Sequence, residues 1–152
     1  MAVHLAKQWG ADAEHAEMAA LFHDVAREWQ PTAWIDFSEH HQIPVRPVDR
    51  QNPILLHGRI ASVVLKQQFQ IDILSVREAM DFHTTGHPDM GPLAKIIFVA
   101  DAIEPGRRYE GVDAMRDLAR SDLHLCLRAV LQSQLAYAQR AGFPIDPWTC
   151  AL

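Results

Sequence analysis

Apolar residues recur at helical spacing along nearly all of the 152-residue chain, and the alternation typical of a half-buried strand is almost absent. Residues that repeat every three or four positions share one face of a helix, where they can be buried together. The pattern therefore predicts an all-α protein. A chain of this length fits a single domain and is long enough to bury a hydrophobic core.

Breaks in this periodicity give approximate bounds for the helices. The first segment ends at Gly10 and has no capping residue before it, whereas Asp12 is a suitable N-cap for a second helix that runs to about Arg27. Further helices are predicted over residues 31–41, 53–69, 72–82, 93–103, 112–119 and 122–141. Two segments that each contain two prolines, 44–52 and 143–152, are predicted to be a loop and an irregular tail.

The composition is that of an ordinary globular protein, with 49% apolar and 22% charged residues. A net charge of −5 argues against a nucleic-acid-binding surface, which needs a basic face, but is compatible with a small phosphate-bearing ligand. The chain has neither an apolar run of the ~18 residues that span a bilayer nor the apolar core of a signal peptide. Cys126 and Cys150 form no CxxC pattern, which indicates reduced thiols. We expect a soluble, cytoplasmic protein without nucleic-acid or membrane partners.

Two aspartates interrupt segments that are otherwise apolar. Asp24 lies in Ala19-Ala-Leu-Phe-His-Asp-Val-Ala, and Asp101 lies in Lys95-Ile-Ile-Phe-Val-Ala-Asp-Ala-Ile. Removing an ionised carboxylate from water is costly unless a cation or several donors hold it. A metal ion bound by both aspartates and by the adjacent His23 accounts for this pattern, whereas a salt bridge or a helix-end hydrogen bond is the alternative for Asp24 alone. The hypothesis requires the two carboxylates to meet, and it fails if each is satisfied by its own arginine.

Four segments resemble the bacterial HD-superfamily symmetrical bis(5′-nucleosyl)-tetraphosphatases, which split diadenosine tetraphosphate into two ADP. These segments are Leu21-Phe-His-Asp-Val-Ala, Leu55-Leu-His-Gly, Phe82-His-Thr-Thr-Gly-His-Pro and Ile96-Ile-Phe-Val-Ala-Asp-Ala-Ile-Glu-Pro-Gly-Arg. A bare HD pair is a weak signal, but HTTG together with ADxIEPGR is specific, and the resemblance covers nearly the whole chain. It implies one HD-domain helical bundle over residues 1–152. It also implies that the protein cleaves dinucleoside tetraphosphates by metal-activated water.

The resemblance implies a metal site and the nature of its ligands. His23, Asp24 and Asp101 would bind the ion. Family members are thought to carry iron, although a mixed imidazole and carboxylate site also suits manganese, cobalt or zinc. The cofactor expected from the resemblance is therefore a divalent metal, with iron as the first candidate.

The resemblance also implies residues that act on the nucleotide polyphosphate substrate. His57 and His83 would line the phosphate site with Thr84 beside them, and both imidazoles would take part in catalysis together with Asp24. Arg107 would contact phosphate oxygens, because its planar guanidinium can donate two parallel hydrogen bonds. Either imidazole could protonate the leaving phosphate, and the sequence does not assign that role.

The family carries one more metal-ligating histidine, on its first helix and ahead of the HD pair. Aligned on the shared segments, that position falls before Met1, which agrees with a first helix that lacks a capping residue. His4 lies in this helix but does not match the motif. We therefore expect either a chain that is shortened at its N-terminus or a family member that has lost this ligand.

Two alternatives to the tetraphosphatase interpretation stay open. One is another HD-type nucleotide phosphohydrolase, and the other is a catalytically impaired nucleotide-binding HD module, which the absent histidine favours. Trp29 and Tyr109 are candidates for stacking on a base, although core packing is the more ordinary role of such residues. The sequence does not determine the oligomeric state, and a homodimer is one candidate.

Overall fold

The computed structural model describes all 152 residues, and the chain forms ten α-helices and no strand. The helices are α1 (Ala2–Trp9), α2 (Ala13–Phe22), α3 (Pro31–His40), α4 (Pro47–Gln51), α5 (His57–Phe69), α6 (Leu74–Phe82), α7 (Pro92–Ala102), α8 (Val112–Ser121), α9 (Leu123–Ala141) and α10 (Pro147–Cys150). A 3-10 turn over Pro53–Leu56 leads into α5. The prediction of an all-α protein is confirmed. None of the helices combines the length and the hydropathy that a membrane-spanning segment requires.

Helix α7 lies at the centre of the molecule because it is apolar on nearly every side. Its central residues, including Ile96, Phe98 and Val99, are fully buried, as expected for a helix without a polar face. Around it pack α1, α2, α6 and α9. The helix begins at Pro92, and its last turn carries Asp101, whose side chain is only partly buried.

A second, smaller apolar cluster lies beneath α3. It contains Ala26, Trp34, Ile43, Leu56, Ile60 and Val64. The indole Nε1–H of Trp34 donates to the carbonyl of Ala26 at 2.8 Å, which ties α3 to the segment after α2. That segment, residues 23–29, is therefore anchored between the two clusters.

The end of α2 differs from the prediction. The periodicity predicts a helix to about Arg27, but α2 ends at Phe22 and consecutive turns follow. The backbone N–H of Val25 donates to Phe22 at 3.1 Å and that of Arg27 to Asp24 at 2.9 Å, which are three-residue turns. Asp24 thus lies on a turn with 35% of its side chain exposed. The expectation that it interrupts a buried helix is wrong, because contacts with α3 and α5 replace the last helical turn.

The proline-containing segment 44–52, predicted to be a loop, contains α4. This helix is held by the buried carboxylate of Asp49, a residue that belongs to no hydrophobic pattern. Asp49 is 0% exposed and accepts the backbone N–H of Arg46 at 2.8 Å. The guanidinium groups of Arg46 and Arg59 also hold Asp49, at 3.0 and 2.7 Å. This prediction is therefore wrong, because periodicity detects apolar faces and not ion pairs.

The C-terminal strap, residues 143–152, contains α10 and is attached through polar and aromatic contacts. Arg46 donates to Asp146 at 3.2 Å, and its guanidinium lies 3.7 Å from the centre of the Trp148 ring. The hydroxyl of Thr149 donates to the carbonyl of Thr85 at 2.7 Å. The segment predicted to be an irregular tail therefore carries a short helix that reaches the HTTG segment.

Candidate active site

Three histidines from different elements converge on one point: His23 after α2, His57 at the start of α5 and His83 after α6. The Nδ1 atom of each hydrogen-bonds to the carbonyl three residues earlier. These carbonyls belong to Ala20, Ile54 and Met80, at 2.9, 2.5 and 2.7 Å. A neutral imidazole that donates from Nδ1 carries its lone pair on Nε2. All three rings therefore direct a potential metal-binding atom towards the same centre.

Gly58 allows two of these imidazoles to come together. A Cβ atom at this position would lie 2.3 Å from the carbonyl oxygen of Met80 and 2.9 Å from Nδ1 of His83. No side chain fits there, so only glycine permits this approach of α5 to the end of α6. As a result, Nε2 of His57 lies 2.9 Å from Nε2 of His83.

The three side chains predicted to bind metal lie together beside these rings. Nε2 of His23 is 3.7 Å from Oδ2 of Asp24 and 3.8 Å from Oδ1 of Asp101. The other oxygen of Asp24, Oδ1, is 3.0 Å from Nε2 of His57. The structure therefore places two carboxylates and three imidazoles in one cluster, which we call the histidine cluster.

Each aspartate of the cluster also has an arginine partner. Arg27 donates to Oδ2 of Asp24 at 2.8 Å, and Arg107 donates to Oδ1 of Asp101 at 2.7 Å. The arginines leave part of each carboxylate open: Oδ1 of Asp24 faces an imidazole, and no hydrogen bond reaches Oδ2 of Asp101. The ion pairing considered as an alternative for Asp24 thus occurs alongside the cluster and does not replace it.

Both carboxylates of the cluster are ionised at neutral pH. Burial opposes the ionisation of Asp24, but the adjacent imidazoles of His57 and His83 and the hydrogen bond from Arg27 hold its pKa far below the usual range. Burial also opposes the ionisation of Asp101, but the nearby imidazole of His23 and the adjacent guanidinium of Arg107 lower its pKa to about 2. The cluster therefore carries fixed negative charge that attracts a cation.

The imidazoles differ in their tendency to hold a proton. Burial lowers the pKa of His83, although its hydrogen bond with Asp24 acts in the opposite direction. Burial also disfavours protonated His23, but the nearby carboxylates of Asp101 and Asp24 outweigh burial and raise its pKa. His83 is thus the more readily available neutral ligand of the two.

The donor set of the cluster fits a divalent metal ion. Nε2 of His57, Nε2 of His83 and Oδ1 of Asp24 lie 2.9, 3.0 and 3.5 Å apart. The hydroxyl of Thr84, 3.0 Å from Nε2 of His83, can donate only one hydrogen to them. Acceptors at these distances repel one another unless a proton or a metal cation lies among them. Imidazole and carboxylate together are ligands of iron, manganese, cobalt and zinc.

A second group of ligand atoms in the cluster overlaps the predicted set without being identical to it. His23, Asp24 and His83 offer atoms that all lie within 4.8 Å of one another. His83 is therefore a candidate ligand in addition to its predicted place in the phosphate site. Asp101 approaches the cluster through His23, as described above.

A cleft of about 790 Å³ begins at the cluster, within the size range of small-molecule sites. The predicted site residues that line it are His57, His83, Thr84, Asp101 and Arg107. The opposite wall consists of α9 and the C-terminal strap. Of the two candidates for base stacking, Tyr109 lines the cleft, whereas Trp29 packs against Phe37 with ring centres 5.3 Å apart.

Comparison with known proteins identifies the family. The HD domain matches residues 1–106, a range that includes the histidine cluster. The chain belongs to the HD domain family. HD domains bind divalent metals, which agrees with the donor set found here.

Relatives of known name resemble the chain over nearly its whole length. It is 32% identical over 148 residues to the symmetrical bis(5′-nucleosyl)-tetraphosphatase of Bacillus subtilis (strain 168), which covers 97% of this chain and 79% of the relative. It is 35% identical over 155 residues to the protein of the same name from Halalkalibacterium halodurans, with 99% and 80% covered. The resemblance inferred from the motifs is therefore confirmed.

A solved structure shares this HD fold. It is described as a predicted HD superfamily hydrolase involved in NAD metabolism from Clostridium acetobutylicum. The TM-score is 0.94 at 35% identity, and the match covers 99% of this chain and 79% of that chain. The single HD-domain helical bundle expected from the sequence is confirmed.

Several residues of this HD site escape sequence reasoning. The spacing of Arg27, three positions after Asp24, is a signal for their ion pair that the sequence does contain. Gly58 follows the motif histidine, but nothing in the sequence shows that α6 lies against it. The α9 wall of the cleft has no local signature, because its residues meet the cluster only through the tertiary fold.

Proposed function

We propose that the protein is a metal-dependent phosphohydrolase that splits dinucleoside tetraphosphates symmetrically, so that diadenosine tetraphosphate yields two ADP. The observation that carries this proposal is the histidine cluster at the start of a cleft. It is supported by 32% and 35% identity to two symmetrical bis(5′-nucleosyl)-tetraphosphatases, over nearly the whole chain.

The metal would be held by His23, Asp24 and Asp101, with His83 as a further ligand. When bound, a divalent metal supplies Lewis acidity and activates water for attack on phosphorus at neutral pH. We propose iron as the ion, with manganese, cobalt and zinc as the alternatives that the same donors accept. Metal analysis of the protein purified without chelators tests this assignment.

The remaining residues bind and orient the polyphosphate. Arg107 lies on the cleft wall, where its guanidinium can bind phosphate oxygens while it stays close to Asp101. His57 and His83 line the same wall, and the imidazole that is not bound to the metal can deliver a proton to the leaving phosphate, while Thr84 can donate a hydrogen bond to it. Symmetric cleavage requires attack at an inner phosphorus. The middle of the substrate must therefore lie at the cluster, with a nucleoside on each side.

Product analysis tests the proposed reaction. Diadenosine tetraphosphate is incubated with the protein and each candidate metal, and the nucleotides are then separated. ADP as the main product supports the proposal, whereas ATP together with AMP indicates attack at an outer phosphorus and contradicts it. A panel of nucleoside mono- and triphosphates distinguishes it from another HD-type phosphohydrolase, because only the proposed enzyme prefers a substrate with two nucleoside ends.

A second candidate function is a nucleotide-binding module without turnover. The observation that favours it is the pairing of Asp24 with Arg27 and of Asp101 with Arg107, since these ion pairs can offset the carboxylate charges without a metal. Nucleotide binding that persists in a chelator, with no product formed in any metal, would support this function over catalysis.

Two properties expected from the sequence stay proposals. We propose that the protein acts in the cytoplasm, which cell fractionation tests. A homodimer is the assembly to test first, and sedimentation distinguishes it from a monomer of 17.2 kDa.

A further inference from the structure

The cleft extends from the histidine cluster along α9. Val130 and Arg140 both line it and lie ten positions apart on this helix, which corresponds to roughly 15 Å along the helix axis. The cleft is thus longer than the part that the cluster and the phosphate-binding residues occupy. The part that α9 and the C-terminal strap form has no role in the chemistry described above.

Two exposed aromatic rings mark this part of the cleft. Tyr137 on α9 is 59% exposed and Phe143 on the strap is 49% exposed, although both line the cavity. Their ring centres lie 6.1 Å apart with an angle of 53° between the planes. Large aromatic side chains bury much apolar area when they are covered. Two adjacent rings left open inside a cleft are therefore suited to a flat ligand group.

Polar groups without protein partners surround these rings. The guanidinium of Arg140 and the side chains of Ser133 and Gln134 line the cleft, and none of them forms a hydrogen bond or an ion pair within the protein. A guanidinium can stack on an aromatic ligand, and an amide and a hydroxyl can bond to its edge. This combination of stacking faces and edge contacts is how proteins bind unpaired nucleobases.

We propose that Tyr137, Phe143 and Arg140 form a nucleobase subsite, which holds one nucleoside end of the substrate while its phosphates reach the histidine cluster. The proposal rests on the proposed function for the identity of the substrate and adds where its base binds. The ligand class is a purine nucleoside di- or polyphosphate. Ser133 and Gln134 contact the edge of the base, and the adjacent rings of Tyr137 and Phe143 form the apolar surface against which the base packs.

A pair of ligands isolates the contribution of the base. Binding of ADP and of inorganic tripolyphosphate is measured for the wild-type protein and for Tyr137→Ala. Loss of one stacking face is expected to weaken ADP binding roughly tenfold and to leave tripolyphosphate binding unchanged. Tyr137→Phe, which keeps the ring, should bind ADP as the wild type does. Leu125→Ala, at a 50% exposed position of α9 outside the cleft, is the matched control.

Photolabelling of the unaltered protein provides a second test that does not depend on a variant folding. Trypsin cleaves after Arg128 and Arg140, so Tyr137 and Phe143 fall in the separate peptides 129–140 and 141–152. Label from 8-azido-ADP is expected in these two peptides and should be competed by ADP. Label confined to the peptides around Trp29 or Tyr109 would overturn the proposal.

The outcomes separate the subsite from the proposed function. Unchanged ADP binding in Tyr137→Ala, an equal loss of ADP and tripolyphosphate binding, or a wild type that does not bind ADP would each overturn the subsite. If diadenosine tetraphosphate is not cleaved but Tyr137→Ala still weakens ADP binding selectively, the subsite stands and the proposed function fails. If diadenosine tetraphosphate is cleaved and Tyr137→Ala leaves its KM unaltered, the proposed function stands and the subsite fails.

Discussion

The protein gathers buried charge in two places, and their hydrogen bonding differs. In the ion-pair network, which consists of Arg46, Asp49, Arg59 and Asp146, each carboxylate oxygen accepts at least one hydrogen bond. Asp49 accepts hydrogen bonds on both carboxylate oxygens: Oδ2 at 2.8 and 3.1 Å and Oδ1 at 3.0 Å. In the histidine cluster, by contrast, two imidazole nitrogens and an oxygen of Asp24 face one another, and Thr84 is the hydroxyl donor beside them.

This difference distinguishes a charged group that stabilises the fold from one that takes part in the function. Burial alone does not do so, since Asp49 is fully buried while Asp24 keeps 35% of its side chain exposed. A network in which every acceptor has a donor stabilises the fold and needs no ligand. A cluster with more acceptors than donors is stable only with an added cation, which makes it a site for chemistry.

The largest expected effect is the loss of catalysis in Asp24→Asn. Activity on diadenosine tetraphosphate should fall by at least about 1,000-fold, because the variant loses a charged ligand at the reacting centre. Stability should change by less than about 1 kcal/mol, since the new amide can donate to the imidazole acceptors around it. ADP release and thermal unfolding measure the two quantities. If Asp24→Asn is active but unstable, Asp24 stabilises the fold and is not needed for catalysis, which would contradict this assignment.

The matched change in the ion-pair network is Asp49→Asn. It leaves the buried Arg59 with uncompensated charge and Arg46 with Asp146 as its remaining partner, so the free energy of unfolding should fall by about 3 kcal/mol. The kcat of the variant should stay close to that of the wild type at temperatures where the variant is folded. Urea unfolding followed by circular dichroism measures the loss. A loss below about 1 kcal/mol would show that the network contributes little to stability.

The stability that Asp49 contributes should depend on pH with a defined sign. Burial opposes its ionisation, but Arg46 and Arg59 outweigh burial and lower its pKa below 3.8, the ordinary value. A carboxylate with a depressed pKa in the folded state stabilises the protein above its unfolded pKa and loses that effect in acid. The difference in unfolding free energy between wild type and Asp49→Asn should therefore be constant above about pH 5 and shrink below pH 4. A difference that grows in acid would contradict this assignment.

Gly58→Ala tests whether the cluster depends on the close approach of two helices. The added methyl would collide with the Met80 carbonyl and with His83, so we expect a loss of about 2 kcal/mol in stability and a larger loss of activity. Gly91→Ala is the matched control, because its Cβ would meet only the Glu78 carboxylate, at 3.4 Å. Full activity in Gly58→Ala would show that catalysis does not depend on the close approach of His57 to His83.

The sequence predicts the residues of the cluster because they lie in short motifs and because apolar periodicity places most helices. The predicted helix 122–141, for example, corresponds to α9, with Asp122 as the N-cap that accepts from Leu125. The predicted 53–69 helix is also present, although its first turn is a 3-10 turn.

The ion-pair network could not be predicted from local sequence. Arg46 and Asp146 are 100 positions apart, and neither belongs to an apolar pattern. The same reason explains the missed turn at Asp24, which depends on contacts with α3 and α5. Long-range polar contacts have no period, so periodicity analysis passes over them.

The smallest expected effect concerns the connection between the two regions through the C-terminal strap. Trp148 packs under Arg46 of the network, while the next residue, Thr149, bonds to Thr85 beside the cluster. Trp148→Leu removes the cation–π contact and should cost about 1 kcal/mol of stability. Its kcat should stay within about twofold of the wild type, because carbonyls within three residues of His57 and His83 hold those rings.

Thr149→Val separates the contact of the strap with Thr85 from its contacts with Arg46, because it removes the hydrogen bond to Thr85 and leaves Trp148 in place. If kcat falls much further than stability in either variant, the strap transmits strain to the cluster and the two regions are not independent. If kcat is retained in both, the network stabilises the fold while the rings around the metal site are positioned by their own helices. Parallel unfolding and steady-state measurements on these variants decide between the two outcomes.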